Sequence, residues 1–270
     1  MMVIKIGGGE GIELDAALAE ISELVRAGTR VVLVHGGSHE TNVLSERLGR
    51  PPTFITSPSG HTSRRTDRET LEIFEMAYCG KVNKGIVESL RRLGTDAVGL
   101  SGIDAGIWTG KRKGAIRAVG EDGRTMIIRD DLTGKVERVD GNFLRLLLEN
   151  GRTPVLTPPA MSEEGVAMNV DADRAAAATA AALGADELLL LSNVPGVLRD
   201  PEDRGSLIET VASLGEVREA AKGRMKNKVL GAEEALTGGV ARVVIGSASG
   251  ASPIADARAG AGTVFEGAIA

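Results

Sequence analysis

Two glycine clusters, each directly after an apolar strand pattern, could bind a phosphate. The first, VIKIGGGEG at 3–11, carries Lys5 inside the strand, and the second, LVHGGSHETN, places Gly36 and Gly37 before a helix. Glycine lets backbone N–H groups approach an anion closely, and a helix N-terminus favours negative charge. Neither cluster fits the Walker or dinucleotide-binding pattern, because no Gly-Lys pair precedes Ser or Thr and Ile12 stands where a glycine is needed. Each therefore predicts an anion cradle of another kind, with a plain turn beside a solvated lysine as the alternative for the first.

Charged residues farther along the chain could complete such a site. MNVDADRAA at 168–176 places Asn169, Asp171 and Asp173 at the start of a predicted helix, and GRMKNKVLGA puts Lys228 at the start of another. One acid suffices to cap a helix, so the acidic cluster indicates a lysine or Mg²⁺ partner as well. A cation at a helix N-terminus is unfavourable unless an anion binds nearby, the alternative being a solvated surface lysine. Together these groups indicate phosphoryl transfer, which depends on positioning and charge neutralisation.

Strand and helix patterns alternate along most of the chain. Apolar spacing predicts helices at 14–25, 38–48, 70–93, 141–151, 171–183 and 225–236. We expect Ser38 to cap the second helix, a possible break of the third at Gly80, and a loop over 51–60. Residues 115–139 differ, because three short alternating strands joined by GEDG and DLTG predict an antiparallel hairpin ribbon. The rest predicts a parallel sheet covered by helices, with ligands beyond the carboxyl ends of its strands.

The composition is that of an ordinary globular protein and excludes several classes. The 270 residues suffice for one large domain or two lobes, with 42% hydrophobic and 26% charged residues. A net charge of −5 and 2% aromatic residues argue against a nucleic-acid binder. Cys79 is the single cysteine, which excludes an internal disulfide, and His35 and His39 have zinc-like spacing without a third ligand, so no metal site is expected. The absence of a long apolar segment and of a secretion signal predicts a cytoplasmic protein with no membrane partner.

In their order along the chain, these motifs resemble those of the amino-acid kinase family. The matching segments are KIGG, VHGG, SRRTDRETLEIFEMAYCG, NVDAD, SNVPG and GRMKNKV. Over its full length the chain is similar to the acetylglutamate kinases. The segment TDRETLEIFEMAYCG is the strongest marker of a branch that acts on an amino-group carrier protein, LysW. That branch phosphorylates LysW-bound α-aminoadipate, and in some members LysW-bound glutamate, in lysine or arginine biosynthesis.

The resemblance implies a three-layer αβα sandwich with a mainly parallel central sheet and the small hairpin ribbon. A single kinase domain, 1–270, would consist of an acyl-substrate and dimerisation lobe at 1–160 and a nucleotide-binding lobe at 161–270. The family further implies a homodimer that uses ATP with Mg²⁺ as a substrate complex and carries no prosthetic group.

The same resemblance assigns roles to the motif residues. Lys5 and Lys228 would neutralise the transferring phosphoryl group, and Asp173 would orient both lysines. Arg64 would grip the α-carboxylate of the acyl substrate through its planar fork, and Asn169 would bind the amide region. Glycine amides would serve the acyl substrate at Gly36 and Gly37. The residues expected against the nucleotide are Gly7, Gly8, Ser192, Asn193 and Gly196; many acetylglutamate kinases have Asp where this chain has Asn193.

A set of basic residues beside the ribbon and in the substrate loop could dock an acidic carrier. The set is Arg65, Lys111, Arg112, Lys113 and Arg117. Because LysW-type carriers are small and acidic, charge complementarity would steer docking, the alternative being ordinary solvated charges. Two other functions remain open, a kinase acting on free acetylglutamate and a non-catalytic module that senses nucleotides or amino acids. Aminoadipate and glutamate differ by one methylene, which the sequence does not distinguish.

Overall fold

Strands rich in Val, Ile and Leu form the centre of the molecule, and helices cover them. The computed structural model describes residues 1–58, 62–119 and 124–266. Its strands are β1 (Met2–Ile6), β2 (Val31–His35), β3 (Phe54–Thr56), β4 (Thr62–Arg64), β5 (Ala97–Ser101), β6 (Trp108–Arg112), β7 (Ile116–Val119), β8 (Thr125–Ile128), β9 (Gly134–Val139), β10 (Thr153–Thr157), β11 (Ala160–Ser162), β12 (Ala167–Met168), β13 (Glu187–Ser192), β14 (Arg242–Ser247) and β15 (Thr263–Glu266). Its α-helices are α1 (Asp15–Arg26), α2 (Ser38–Arg47), α3 (Arg68–Glu75), α4 (Asn83–Arg92), α5 (Gly141–Glu149), α6 (Ala172–Leu183), α7 (Leu214–Ala220), α8 (Met225–Thr237) and α9 (Pro253–Arg258).

The central sheet has the strand order β15-β14-β13-β1-β2-β10-β5 and is parallel except for β15. One apolar core lies between this sheet and α1, α4 and α9, and the other lies against α5, α6 and α8. The arrangement confirms the predicted α/β fold with a helical layer on each face. Strand β1 pairs with β2 on one side and with β13 on the other, so the two expected lobes share one sheet.

The predicted ribbon over 115–139 is wrong in one part. Strands β7 and β8 pair antiparallel as expected, but β9 pairs with β6 in a separate sheet. The buried carboxylate of Asp131 accepts hydrogen bonds from the backbone amides of Thr66 at 3.0 Å and Thr133 at 2.9 Å. This fixes the DLTG segment in a tertiary contact instead of a hairpin turn. The predicted GEDG turn, 120–123, lies outside the described residues.

Three local expectations also differ from the structure. The expected loop over 51–60 contains strand β3, which pairs with β4 and β7. The helix over 70–93 has no break at Gly80, because α3 continues into α4 through a π-helical turn at Met76–Val82. Ser38 begins α2 without capping it, and its hydroxyl donates instead to the carbonyl of Gly8 at 3.0 Å. None of the helices in the described ranges combines the length and the apolar composition that a membrane span requires.

Candidate functional site

Two lysines from distant parts of the chain share one carboxylate at the carboxyl end of β1. The Nζ atom of Lys5 lies 2.6 Å from Asp173 Oδ1, and the Nζ atom of Lys228 lies 3.0 Å and 2.9 Å from the two Asp173 oxygens. Lys5 comes from β1, Asp173 from the first turn of α6 and Lys228 from the first turn of α8. All three residues are buried, with 5% to 7% of their surface exposed. We call these residues the charge triad.

The charge triad has an excess of positive charge. Although burial favours a neutral acid, the ammonium groups of Lys228 and Lys5 hold the pKa of Asp173 well below its usual range. Burial lowers the pKa of Lys228. The attraction of Asp173 opposes this effect, and the repulsion of Lys5 acts in the same direction as burial. One carboxylate cannot compensate two buried cations, and uncompensated buried charge is costly. An anion bound beside Lys228 would remove this imbalance.

The two predicted glycine turns, the first of which follows the strand that carries Lys5, pack against each other backbone to backbone. A Cβ atom on Gly8 would lie 2.1 Å from the nitrogen of Gly37, and one on Gly36 would lie 2.8 Å from the nitrogen of Gly8. Besides Ser38, the amide of His39 donates to the carbonyl of Gly8 at 2.8 Å. Glycine is required at these positions because the turns exclude each other's side chains.

The predicted amide donors need a correction. The amide of Gly7 donates to Leu191 at 2.9 Å and that of Gly36 donates to Ile6 at 3.0 Å, so neither is available to a ligand. Within the described segments, the amides of Gly8 and Gly37 have no backbone acceptor. The amide of Gly37 is directed at the phenol oxygen of Tyr78, so the amide of Gly8 is the one that a phosphate or an acyl substrate could use.

A buried histidine supports the second glycine turn. His35 Nδ1 lies 3.0 Å from the carbonyl of Gly36, and its Nε2 lies 3.0 Å from Asn83 Nδ2. Asn83 Nδ2 also donates to the carbonyl of Val155, and its Oδ1 accepts from Lys84, which fixes the orientation of the amide. Nε2 must then accept, so the imidazole is neutral and its Nδ1–H holds Gly36. Burial lowers the pKa of His35 to about 4.

Stability should decrease as the pH falls from 7 to 5 because of His35. Its pKa is about 4 in the folded chain against an ordinary 6.5, so between these values the unfolded chain binds a proton that the folded chain does not. The stabilisation is therefore present above pH 6.5 and is lost as the pH falls towards 4. We expect a loss of about 2 kcal/mol between pH 7 and pH 5, measured by denaturant unfolding. His35→Gln should remove this part of the pH dependence, and an unchanged slope in that variant would contradict the assignment.

A second uncompensated cation lies at the other end of the site. Arg64 Nη2 donates to the carbonyl of Ser38 at 3.4 Å and to the side chain of Asn42, and its guanidinium lies 5.3 Å from the ring centre of Phe54. Its Nη1 is buried without a hydrogen-bond partner, and within the described part of the chain no carboxylate pairs with it. Burial lowers the pKa of Arg64, and Arg224 acts in the same direction. The guanidinium thus has a free donor for a carboxylate.

Asn169 lies between the charge triad and the loop that carries Arg64. Its Nδ2 donates to Thr66 Oγ1 at 3.2 Å, and Thr66 is held in turn by the carboxylate of Asp131. The side-chain oxygen of Asn169 has no donor among the described residues, so it could accept from an amide N–H. Asp171, by contrast, caps α6 and accepts from Asn227 Nδ2 at 2.7 Å. The lysine partner expected for the acidic cluster therefore contacts Asp173, not Asp171.

The residues expected against the nucleotide have different environments. Ser192 ends β13 beside the Gly7 turn, and its buried hydroxyl has no hydrogen-bond partner. Asn193 is exposed. Gly196 is buried, and a Cβ atom there would lie 2.7 Å from side chains of Leu207 and Thr263. Packing explains this last glycine, so Ser192, Asn193 and the amide of Gly8 are the groups of this set that a ligand could use.

Three of the five predicted docking residues already have partners. Arg65 pairs with Asp130 at 2.7 Å, Lys111 pairs with Glu137 at 3.5 Å, and Arg112 donates to the carbonyls of Arg129 and Asp131. Lys113 and Arg117 are exposed and form no ion pair with any described residue. Of the five predicted docking residues, these two therefore keep their charge free for a partner.

Sequence reasoning did not identify several residues of the site. Tyr78 looked like an apolar residue of a helix, and its contact with Gly37 is visible only in three dimensions. Asp131 lies in DLTG, which was interpreted as a hairpin turn, and Arg224 lies in the GRMKNKV segment, of which only Lys228 was assigned a role. Asn83 follows the helical segment that marks the family branch, which was the available signal for it.

The comparisons with known proteins agree with this geometry. A sequence model of the amino acid kinase family matches residues 1–247. A LysW-aminoadipate kinase of Deinococcus radiodurans is 58% identical, covering 98% of this chain and 91% of that protein, and one of Thermus thermophilus is 49% identical, covering 98% and 99%. Among solved structures, N-acetylglutamate synthase from Neisseria gonorrhoeae with coenzyme A and N-acetyl-glutamate has a TM-score of 0.77 and 27% identity, covering 98% of this chain and 59% of that one. All of these matches run through the strands and helices that carry the charge triad.

Proposed function

Because the chain belongs to the amino acid kinase family, we propose that it transfers the γ-phosphoryl group of MgATP to the side-chain carboxylate of LysW-bound α-aminoadipate. The family predicted from the motifs is thereby confirmed. The acceptor is proposed from the relatives named LysW-aminoadipate kinase, which match the chain almost from end to end. LysW-bound glutamate is a second acceptor that the names of more distant relatives include.

The excess positive charge of the buried charge triad is the observation that carries the proposed chemistry. A transferring phosphoryl group spreads negative charge over its equatorial oxygens, and preorganised cations stabilise that charge most strongly away from water. Lys5 and Lys228 are held at one carboxylate, and the Gly8 turn follows directly after the strand that carries Lys5. The positions of these groups support a phosphoryl site at the carboxyl end of β1.

The reaction needs no general base from the protein. A carboxylate oxygen of the acceptor attacks the γ-phosphorus, and the bond from that phosphorus to the bridging oxygen breaks. The products are an acyl phosphate and ADP, and no proton is transferred because the attacking carboxylate is already ionised at neutral pH. In this arrangement Arg64 would hold the α-carboxylate of the acceptor, and the side-chain oxygen of Asn169 would accept from its amide N–H. His35 stays neutral and acts through Gly36.

The acceptor can be identified with purified protein and MgATP. We would offer LysW-bound α-aminoadipate, LysW-bound glutamate and free acetylglutamate separately, and measure ADP release together with hydroxamate formation from the acyl phosphate. Turnover of carrier-bound α-aminoadipate supports the proposal. Turnover of free acetylglutamate at a comparable kcat/KM would instead assign an ordinary acetylglutamate kinase. If none of the three acceptors supports ATP turnover, the result would favour a non-catalytic sensing module.

Lys113 and Arg117 are proposed to dock the acidic carrier. Reversing both charges, with Lys113→Glu and Arg117→Glu, should raise the KM for the carrier-bound acceptor about ten-fold, while kcat and the KM for ATP stay within two-fold. The effect should shrink at high salt because exposed charges are screened. Arg30→Glu is the control, since Arg30 is exposed at the amino end of β2, away from the site. An equal effect of the control, or none from the double variant, would exclude docking at this ribbon.

A further inference from the structure

The single tyrosine of the chain lies in a distorted turn of the helix formed by the TDRETLEIFEMAYCG segment. The π-helical turn at Met76–Val82 joins α3 to α4, and Tyr78 lies in it with 8% of its surface exposed. π-Helical turns are rare and are found frequently at functional sites, because the extra residue redirects the side chains around it. The chain has no other tyrosine.

Two contacts fix the aromatic ring of Tyr78. It stacks on Phe74, with 3.8 Å between the ring centres and an angle of 21° between the ring planes. On its other side it lies against Gly37, where a Cβ atom would come within 2.9 Å of Tyr78 Cδ2. Gly37 therefore provides room for this ring, and the hydroxyl is directed by rigid neighbours.

The hydroxyl of Tyr78 lies within electrostatic range of the charged groups of the site. The charges that act on it are those of Lys5, Arg64 and Asp171, and the backbone N–H of Gly37 is directed at its oxygen. Burial raises the pKa of Tyr78, so the hydroxyl keeps its proton. Within the described residues this hydroxyl donates to no side chain, and its oxygen is not one of the fully enclosed polar atoms that lack a partner. A ligand in the site can therefore reach it.

We propose that the Tyr78 hydroxyl is a substrate-contacting donor, which hydrogen-bonds to the side-chain carboxylate of the acceptor between the lysines and Arg64. This inference rests on the proposed function, since it requires an acceptor with a carboxylate at each end. Gly37 N–H donates to the phenol oxygen, and the phenol donates to the substrate. Such a chain polarises the phenol and strengthens its second bond. The hydroxyl orients the attacking oxygen without taking part in proton transfer.

Tyr78→Phe tests the proposal because it removes the hydroxyl and keeps the ring. We expect kcat/KM for the carrier-bound acceptor to fall about 10- to 100-fold, which is typical of a lost hydrogen bond to a charged group. The loss should appear mainly in the KM for the acceptor, since the bond forms in the ground state. The KM for ATP and the melting temperature should be unchanged. Tyr78→Leu also removes the ring and should lower the melting temperature, which separates packing from hydrogen bonding.

A spectroscopic measurement gives a second readout. Loaded carrier, compared with unloaded carrier, should shift the near-ultraviolet absorption of Tyr78 in the wild type and not in Tyr78→Phe. If the wild type phosphorylates the acceptor and Tyr78→Phe keeps kcat/KM within two-fold with no such shift, the role of the hydroxyl is refuted and the proposed function stands. If the wild type phosphorylates none of the carrier-bound acceptors, both are overturned.

Discussion

Lys228→Ala and Lys5→Ala should each reduce kcat about 10²- to 10³-fold, as removal of one preorganised donor to a developing charge does. Each lysine supplies part of the positive charge that neutralises the phosphoryl group. Folding should survive, because the remaining ammonium still pairs with Asp173 and the triad becomes neutral. The measurement is steady-state kinetics with saturating acceptor, together with the melting temperature of each variant.

Lys135→Ala is the matched control for this loss of a lysine. Lys135 is half-exposed and pairs with Glu234 at 3.2 Å on the outer side of α8. It should leave kcat within two-fold of the wild type. A kcat within ten-fold of the wild type in Lys5→Ala or Lys228→Ala would remove that lysine from phosphoryl transfer.

Unlike the two lysine substitutions, Asp173→Asn should have a large effect on the stability of the fold. The substitution leaves two buried ammonium groups without a counter-charge, and breaking a buried ion pair in this way costs about 3–5 kcal/mol. The free energy of unfolding, measured with denaturant at pH 7, should fall by that amount. The difference in the free energy of unfolding between the variant and the wild type should become smaller as the pH rises towards 10. In the wild type, Asp173 holds the pKa of Lys5 above its ordinary value and opposes the effect of burial on Lys228. Without this carboxylate, burial lowers the pKa of both lysines in the folded variant. The unfolded variant then binds more protons than the folded one, so raising the pH favours folding.

Two further variants serve as controls for the result at Asp173. Asp186→Asn changes an exposed carboxylate that pairs with the N-terminal amine, and it should leave the free energy of unfolding close to that of the wild type, because solvent screens exposed ion pairs. Replacing the whole charge triad, with Lys5→Met, Asp173→Leu and Lys228→Met, should recover most of the lost stability without activity, because apolar residues need no counter-charge. An Asp173→Asn protein as stable as the wild type at pH 7 would show that the buried cations do not depend on this carboxylate.

The regular elements could be predicted because their apolar periodicity is local. The strands around Lys5 and His35 and the helix after Asp171 appear in the sequence as they do in the structure. The separation of β9 from β8 could not be predicted, because it depends on a carboxylate, Asp131, that binds an amide sixty-five residues away. Local sequence patterns do not reveal contacts of this kind, in which a side chain binds a group that is distant in the sequence.

The candidate site was predictable in its charged residues and less so in its backbone. Lys5, Asp173 and Lys228 are of types that rarely occupy buried positions without a reason, and the motif order placed them together. The amides were harder, because a glycine pattern does not reveal whether its N–H groups are already used. Gly7 and Gly36 donate within the sheet, and Gly196 is a packing position. Tyr78 was missed because a buried aromatic residue on a helix is normally part of a core.

The central position of β1 also affects how the protein is made. This strand leaves the ribosome long before β13, which becomes one of its two neighbours. During most of translation Lys5 therefore lies at an incomplete sheet edge, with Asp173 and Lys228 not yet synthesised. Contacts between such distant segments slow folding and leave strand edges exposed. The charge triad can therefore form only after the segment that carries Lys228 has emerged. A chain released earlier contains β1 but lacks the residues that complete the site.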